Sequence, residues 1–193
     1  MKKSPKATDK ELAELVLQLG RMAYADCCAG GLTHGQWAAL RFFARANRFS
    51  RTVSAFADYH ATTRAAASQK ISTLVEQGYL SRRRSQRDGR STRFDLTRPS
   101  RKLLQDDPFK SVVAAAQQLA PSVRNKTAQC LQQMLGELSA LRGRELFGIC
   151  DLCQHLQIIK AHSAESYACG LLRVPLEREE THQICACFMP KAS

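Results

Sequence analysis

No apolar run in these 193 residues approaches the ~20 that a membrane-spanning helix needs. The lysines of the N-terminal MKKSPKATDKELAEL are followed by no apolar core segment, so no signal peptide is expected and the protein is read as cytoplasmic, with no membrane partner. There is no Ser–His–Asp order, no phosphate-binding Gly loop and no pair of carboxylates at a compelling helical spacing. Nothing therefore points to an enzyme. Acidic residues are scarce, 17 Asp and Glu against 29 Lys and Arg, which leaves a formal net charge of +12.

The basic excess is concentrated. Residues 81–102 hold nine Arg or Lys against two Asp, more than half of the whole surplus in a short stretch. A scattered excess serves solubility, whereas a concentrated one points to a polyanion. The chain is long enough for one generous domain or a domain with a small appendage, and it can bury a core without metals or disulfides.

Taken in order, residues 1–7 read as a disordered basic tail. Leu12, Leu15, Val16, Leu19 and Met22 recur at three and four, which predicts an amphipathic helix from Thr8 to near Gly30 and Gly31, with Cys27 and Cys28 as small residues at its end. Thr33 and Gln36 form a capping box that opens a second helix through Ala46, with Leu32 and Trp37 as its staple. Arg51–Tyr59 is a short helix, His60-Ala61-Thr62 a turn, and Thr63–Gln77 a helix that buries Ala67, Ile71, Leu74 and Val75 and stops at Gly78. Leu80 and Phe94–Leu96 are strands around an Asp88-Gly89 turn. Two helices, a tight turn and a hairpin make a winged helix-turn-helix. Thr97 caps a further helix with Pro99 in its first turn, Asp107-Pro108 breaks it, and Pro121 restarts a long one. The first and last helices are long for packing on a small winged core, so dimerisation through the two ends of the chain is expected.

The fold class is thus mainly α with a small β-wing. Residues 8–145 form the winged helix-turn-helix and dimerisation domain, with its DNA-binding core at 32–104, and residues 146–193 form a small cysteine-rich module.

Residues 8–145 resemble the MarR family of bacterial transcriptional regulators. The matching pieces are Leu32-Thr33 with Gln36 and Leu40-Arg41, Thr63-Arg64 through Ser68, Leu74 with Gly78-Tyr79-Leu80, Arg82-Arg83, Asp88 with Arg90, and Leu96-Thr97. The resemblance implies a homodimer whose recognition helix enters the major groove and whose wing reaches the minor groove. The chain departs from the family pattern at Gly89, where a second Arg is usual, at Ser100, where Gly is usual, and at His60-Ala61, where Gly is common.

On the recognition helix Thr63, Arg64, Ser68 and Gln69 carry base-reading chemistry. An Arg64 guanidinium matches guanine O6 and N7, and a Gln69 amide matches adenine N6 and N7. Lys70 and Arg82, Arg83 and Arg84 are assigned to phosphates, Arg87 to the wing tip and Arg90 to the minor groove. Asp88 orients a wing arginine. Two such units would read a near-palindromic duplex with half-sites one helical turn apart, ~10 bp.

After Arg144 the composition shifts. Cys150 and Cys153 form a C-x2-C pair, Cys169 follows after 15 residues, Cys185 after 15 more, and Cys187 two positions on. Such spacing suits a four-thiolate centre, a [2Fe–2S] cluster favoured over zinc, held by Cys150, Cys153, Cys169 and Cys185 with Cys187 as the alternative. His155, His162 and His182 are possible replacement ligands. The sequence therefore predicts a homodimeric, sequence-specific DNA-binding regulator whose affinity is modulated by this centre, the signal passing through the dimer helices. The alternative is a repressor responsive to a phenolic or acidic ligand, with a purely structural zinc clasp.

Overall fold

The computed structural model describes residues 7–25, 31–84, 92–161 and 164–191. Cys27, Cys28, Arg87, Asp88, Arg90 and His162 lie outside them.

Helix α1, Asp9–Ala25, opens on a capping box. Thr8 accepts from the Glu11 N–H at 3.2 Å, and the Glu11 carboxylate accepts from the Thr8 N–H at 2.7 Å. Helix α2, His34–Arg45, starts the same way, on Thr33 and Gln36. Leu32 and Trp37 are both buried, as a staple requires. Helices α3, Val53–Tyr59, and α4, Arg64–Glu76, pack against α2. Strands β1, Leu80–Arg84, and β2, Thr92–Leu96, are antiparallel, with Leu80 opposite Leu96 and Arg82 opposite Phe94.

The core of this unit is Trp37, Leu40, Phe42, Phe43, Phe56, Ile71, Leu74, Leu80 and Phe94. Each large side chain there contributes about 1.5–3 kcal/mol through burial. The inward positions of α4 are Ala67, Ile71 and Leu74, spaced four and three. Its C-terminus is a Schellman turn. Gly78, at φ 75°, donates to Val75 at 3.0 Å, and Tyr79 donates to Leu74 at 2.8 Å.

Helix α5, Arg98–Leu103, follows the wing. Thr97 precedes it without capping it through its side chain. Its hydroxyl instead donates to the carbonyl of Gly78 at 2.7 Å, tying the end of the wing to the end of α4. Helices α6, Lys110–Gln117, and α7, Pro121–Leu141, bury no residue fully.

The C-terminal part is more regular than its sequence suggests. Strand β3, Gly148–Ile149, pairs with β7, Ile184–Cys185. Between them lie an antiparallel sheet of β4, Leu156–Ala161, β5, Ala164–Cys169, and β6, Val174–Leu176, and a short helix α8, Arg178–Thr181. This module shares the core of the winged unit, because Ile184 is 4% exposed among its residues, with Phe147 and Ala186 packed beside it. The expected route from module to DNA unit through the dimer helices is therefore not the direct one. The contact is made at the turn after α2, where Ala46 and Ile184 form a parallel bridge.

Candidate nucleic-acid interface and cysteine cluster

The outward face of α4 carries Arg64, Ala65, Ser68 and Gln69, all exposed. Their exposure follows from the inward set, since positions between the buried rows of a helix must face away from the core. Thr63, also proposed for base reading, is the N-cap: its hydroxyl accepts from the Ala66 N–H at 3.2 Å. The cap fixes the start of the helix, and an N-cap oxygen engaged with the backbone is less available to a base edge. Lys70 departs further from expectation. It is half-buried, and its stem lies over Gly35, where an added Cβ would stand 2.8 Å from Lys70 Cε. It therefore borders α2 and not the outward face.

The wing arginines divide by strand register. Arg82, opposite Phe94, turns towards α4 and donates to Ser72 Oγ at 3.3 Å. Arg83 meets the Asp95 carboxylate at 3.3 Å while 75% exposed. Arg84 is exposed at the described end of β1. Sequence reasoning missed Asp95 and Arg51. The Arg51 guanidinium meets Asp95 Oδ1 at 2.7 Å and donates through Nε to the Ala46 carbonyl at 2.9 Å. The Arg51 carbonyl accepts from the Phe94 N–H at 2.9 Å. One residue thus joins the turn after α2 to the root of the wing. An Arg just before a helix carries no sequence pattern that would reveal this.

At the end of α3 sits a half-buried imidazole. His60 ends α3 and packs on Phe42, Phe56 and Tyr59. Burial, with the Arg41 charge second, lowers its pKa from 6.5 to about 4, so it is neutral at physiological pH. Its Nε2 is buried and, among the described residues, has no hydrogen-bond partner.

The five C-terminal cysteines are drawn towards one another. Cys150 and Cys153 sit on a 3-10 turn closed by the Cys153 N–H donating to the Cys150 carbonyl at 2.8 Å. Cys185 lies in β7, opposite Gly148. Cys150, Cys153 and Cys185 are buried. Hydrogen bonds from the thiols of Cys150 and Cys187, then from the Cys187 N–H and the Asn47 side chain, hold the Cys185 thiol far below its ordinary pKa. The same bonds raise Cys150 and Cys187, each through its contact with Cys185 and then through burial. Cys169 accepts from the Leu172 N–H at 3.4 Å and lies within the field of Cys150 and Cys187, as Cys153 does. Among the described residues no set of three or more Cys, His, Asp or Glu side chains stands in a geometry ready for a metal ion. His182 is engaged elsewhere, with Nδ1 at 2.7 Å from the Asp151 carboxylate inside the C-x2-C turn.

The end helices leave apolar surface open. Leu12, Leu15, Val16, Leu19 and Met22 on α1, and Leu135, Leu138 and Leu141 on α7, are all exposed. Among the described residues no helix is long and apolar enough to cross a membrane.

Residues 30–91 match the model of the MarR family. A MarR transcriptional regulator from Methanosarcina mazei Go1 superposes with a TM-score of 0.55 at 20% identity, covering 69% of this chain and 99% of that one. A MarR family regulator from Streptomyces coelicolor, solved in complex with DNA, gives 0.53 at 17% identity over 72% of this chain and 93% of its own. CouR from Rhodococcus jostii RHA1, solved bound to p-coumaroyl-CoA, gives 0.55 at 19% identity over 67% and 95%. The fold of the winged unit and its flanking helices is that of the MarR winged-helix structures. No curated protein matches the chain.

Proposed function

We propose that the protein is a sequence-specific, double-stranded-DNA-binding transcriptional regulator that acts as a homodimer. The observation that carries this reading is the outward face of α4, with Arg64, Ser68 and Gln69 exposed beside a wing whose β1 ends in Arg82, Arg83 and Arg84. A capped helix presenting Arg and Gln to solvent, flanked by arginines, provides base-edge and phosphate chemistry on one side of one unit. The match of residues 30–91 to the MarR family, and the complex with DNA of the Streptomyces coelicolor structure, support it. The open leucines of α1 and α7 support the homodimer, since apolar surface of this extent marks an interface.

We further propose that Cys150, Cys153, Cys185 and one of Cys169 and Cys187 hold a four-thiolate metal centre, a [2Fe–2S] cluster or zinc, that modulates DNA affinity. The support is convergence: two short cysteine turns from opposite ends of the module place Cys150, Cys185 and Cys187 in hydrogen-bond contact. Thiolates drawn onto a metal would replace those thiol–thiol bonds.

Selection of duplexes from a randomised pool by the full-length protein tests the first part. A near-palindromic consensus with half-sites about 10 bp apart is expected; recovery of no consensus overturns it. Metal analysis with visible absorption of anaerobically purified protein tests the second. A coloured protein with iron and sulfide, or a colourless one with a single zinc per chain, supports the centre, and metal-free protein that takes up neither contradicts it.

A further inference from the structure

Both residues that flank Cys185 are hydrogen-bonded to the turn after α2. The Ile184 carbonyl accepts from the Asn47 N–H at 2.9 Å, and the Ala186 N–H donates to Ser50 Oγ at 2.8 Å. Asn47 and Ser50 are each 1% exposed, so neither bond is shared with water. Asn47 Oδ1 also accepts from the N–H groups of Phe49 and Ser50, which makes the turn a single stiff piece. Arg48 adds an outer clamp, meeting Glu180 at 3.0 Å and the Pro175 carbonyl at 2.6 Å. Ser50 is followed by Arg51, whose backbone and guanidinium both hold β2, and Asp95 on β2 holds Arg83.

We propose that the state of the cysteine cluster sets the pose of the wing within the same protomer, through Ala46–Arg51, with Arg51 as the positioning residue that passes the constraint to β2. This rests on the reading of the cluster as a metal centre. Two arrangements are available to Cys185: its place in β7 opposite Gly148, as in the structure, or its sulfur drawn to a metal at ~2.3 Å. Moving between them carries Ile184 and Ala186 along, and these are the two residues that grip the turn. Arg51 then reorients against Asp95, and Arg83 shares that carboxylate. No element outside the protomer is needed, and α1 and α7 take no part.

The test uses full-length protein, duplexes selected by the wild type, and Zn(II) as the probe. In the wild type, Kd is expected to differ at least fivefold between zinc-loaded and EDTA-treated protein, and amide exchange is expected to slow on loading in both 46–51 and 92–96. In Arg51→Gln, zinc uptake and the slowing at 46–51 should persist, while the slowing at 92–96 is lost and the Kd ratio falls to within twofold of one. Ser50→Ala, which cuts the contact on the module side, should lower the ratio in the same way and serves where Arg51→Gln fails to fold. A variant that binds zinc and keeps the full ratio overturns the relay. A wild type that takes up zinc with no change in Kd overturns both the relay and the modulation reading, and leaves DNA recognition standing. A wild type that takes up neither zinc nor an iron–sulfur cluster overturns the relay at its source, the metal centre.

Discussion

The backbone N–H of Asn47 donates to the carbonyl of Ile184 at 2.9 Å, so the turn that precedes the helix-turn-helix and the strand that carries Cys185 are one piece. The long separation of residues 47 and 184 in the sequence conceals this. The cysteine module is docked on the winged unit itself.

Gly78→Ala should destabilise the protein by about 1 kcal/mol, because the Schellman turn holds this residue at φ 75°, where a Cβ is strained. Ala61 is the converse. It sits at φ 53° in the turn between α3 and α4, the position at which the sequence departs from a common Gly. Ala61→Gly should therefore be neutral or stabilising by up to about 1 kcal/mol. Denaturant midpoints at constant m-value check both; a clear loss in Ala61→Gly would show that the turn is not strained.

Arg64→Ala and Gln69→Ala should each relax selectivity at one base pair of the half-site, at a cost of about 1–3 kcal/mol against the preferred base. Arg84→Ala should weaken all duplexes alike and lower the salt slope by about one. Titrations against single-base variants at several salt concentrations separate the two behaviours. An Arg64→Ala protein with wild-type base preference would remove that residue from recognition.

His60 yields a pH dependence. Its folded pKa is about 4 against the ordinary 6.5, so the unfolded chain takes up the proton first as pH falls. Stability should be full above about 6.5, decline as pH drops from there towards 4, and level off below, a loss of ~2 kcal/mol after allowing for the part exposure of the ring. In His60→Gln this step should vanish from the pH profile of unfolding. Persistence of the same step would place the responsible group elsewhere.

Leu135→Lys with Leu138→Lys should convert the proposed homodimer to a monomer, since both side chains are exposed on α7 and a charge brought into an apolar seam is costly. Sedimentation of wild type and variant reads this directly. A wild type that is already monomeric at micromolar concentration contradicts the homodimer.

Much of the winged unit was legible from local pattern. The Thr33–Gln36 capping box, the stop at Gly78 and the inward set of α4 stand where the spacing put them, because caps and helical periodicity act over a few residues. Roles that depend on partners far along the chain were not legible. Thr97 has the residue type of an N-cap, yet its hydroxyl goes to Gly78. Lys70 has phosphate chemistry, yet its stem packs over Gly35. The strands of the C-terminal module are short, and β3 and β7 meet only after a long intervening stretch, so neither period nor turn signals announced them. The C-x2-C spacing identified the cysteines as a group, but the docking of Cys185 against Asn47 belongs to tertiary structure alone.

The most direct test of the account is an equilibrium titration of full-length protein against its selected duplex and an unrelated duplex of equal length, at matched salt. The account predicts binding at least ~10³-fold tighter to the selected duplex, with the preference reduced in Arg64→Ala. Equal affinity for the two duplexes would contradict it.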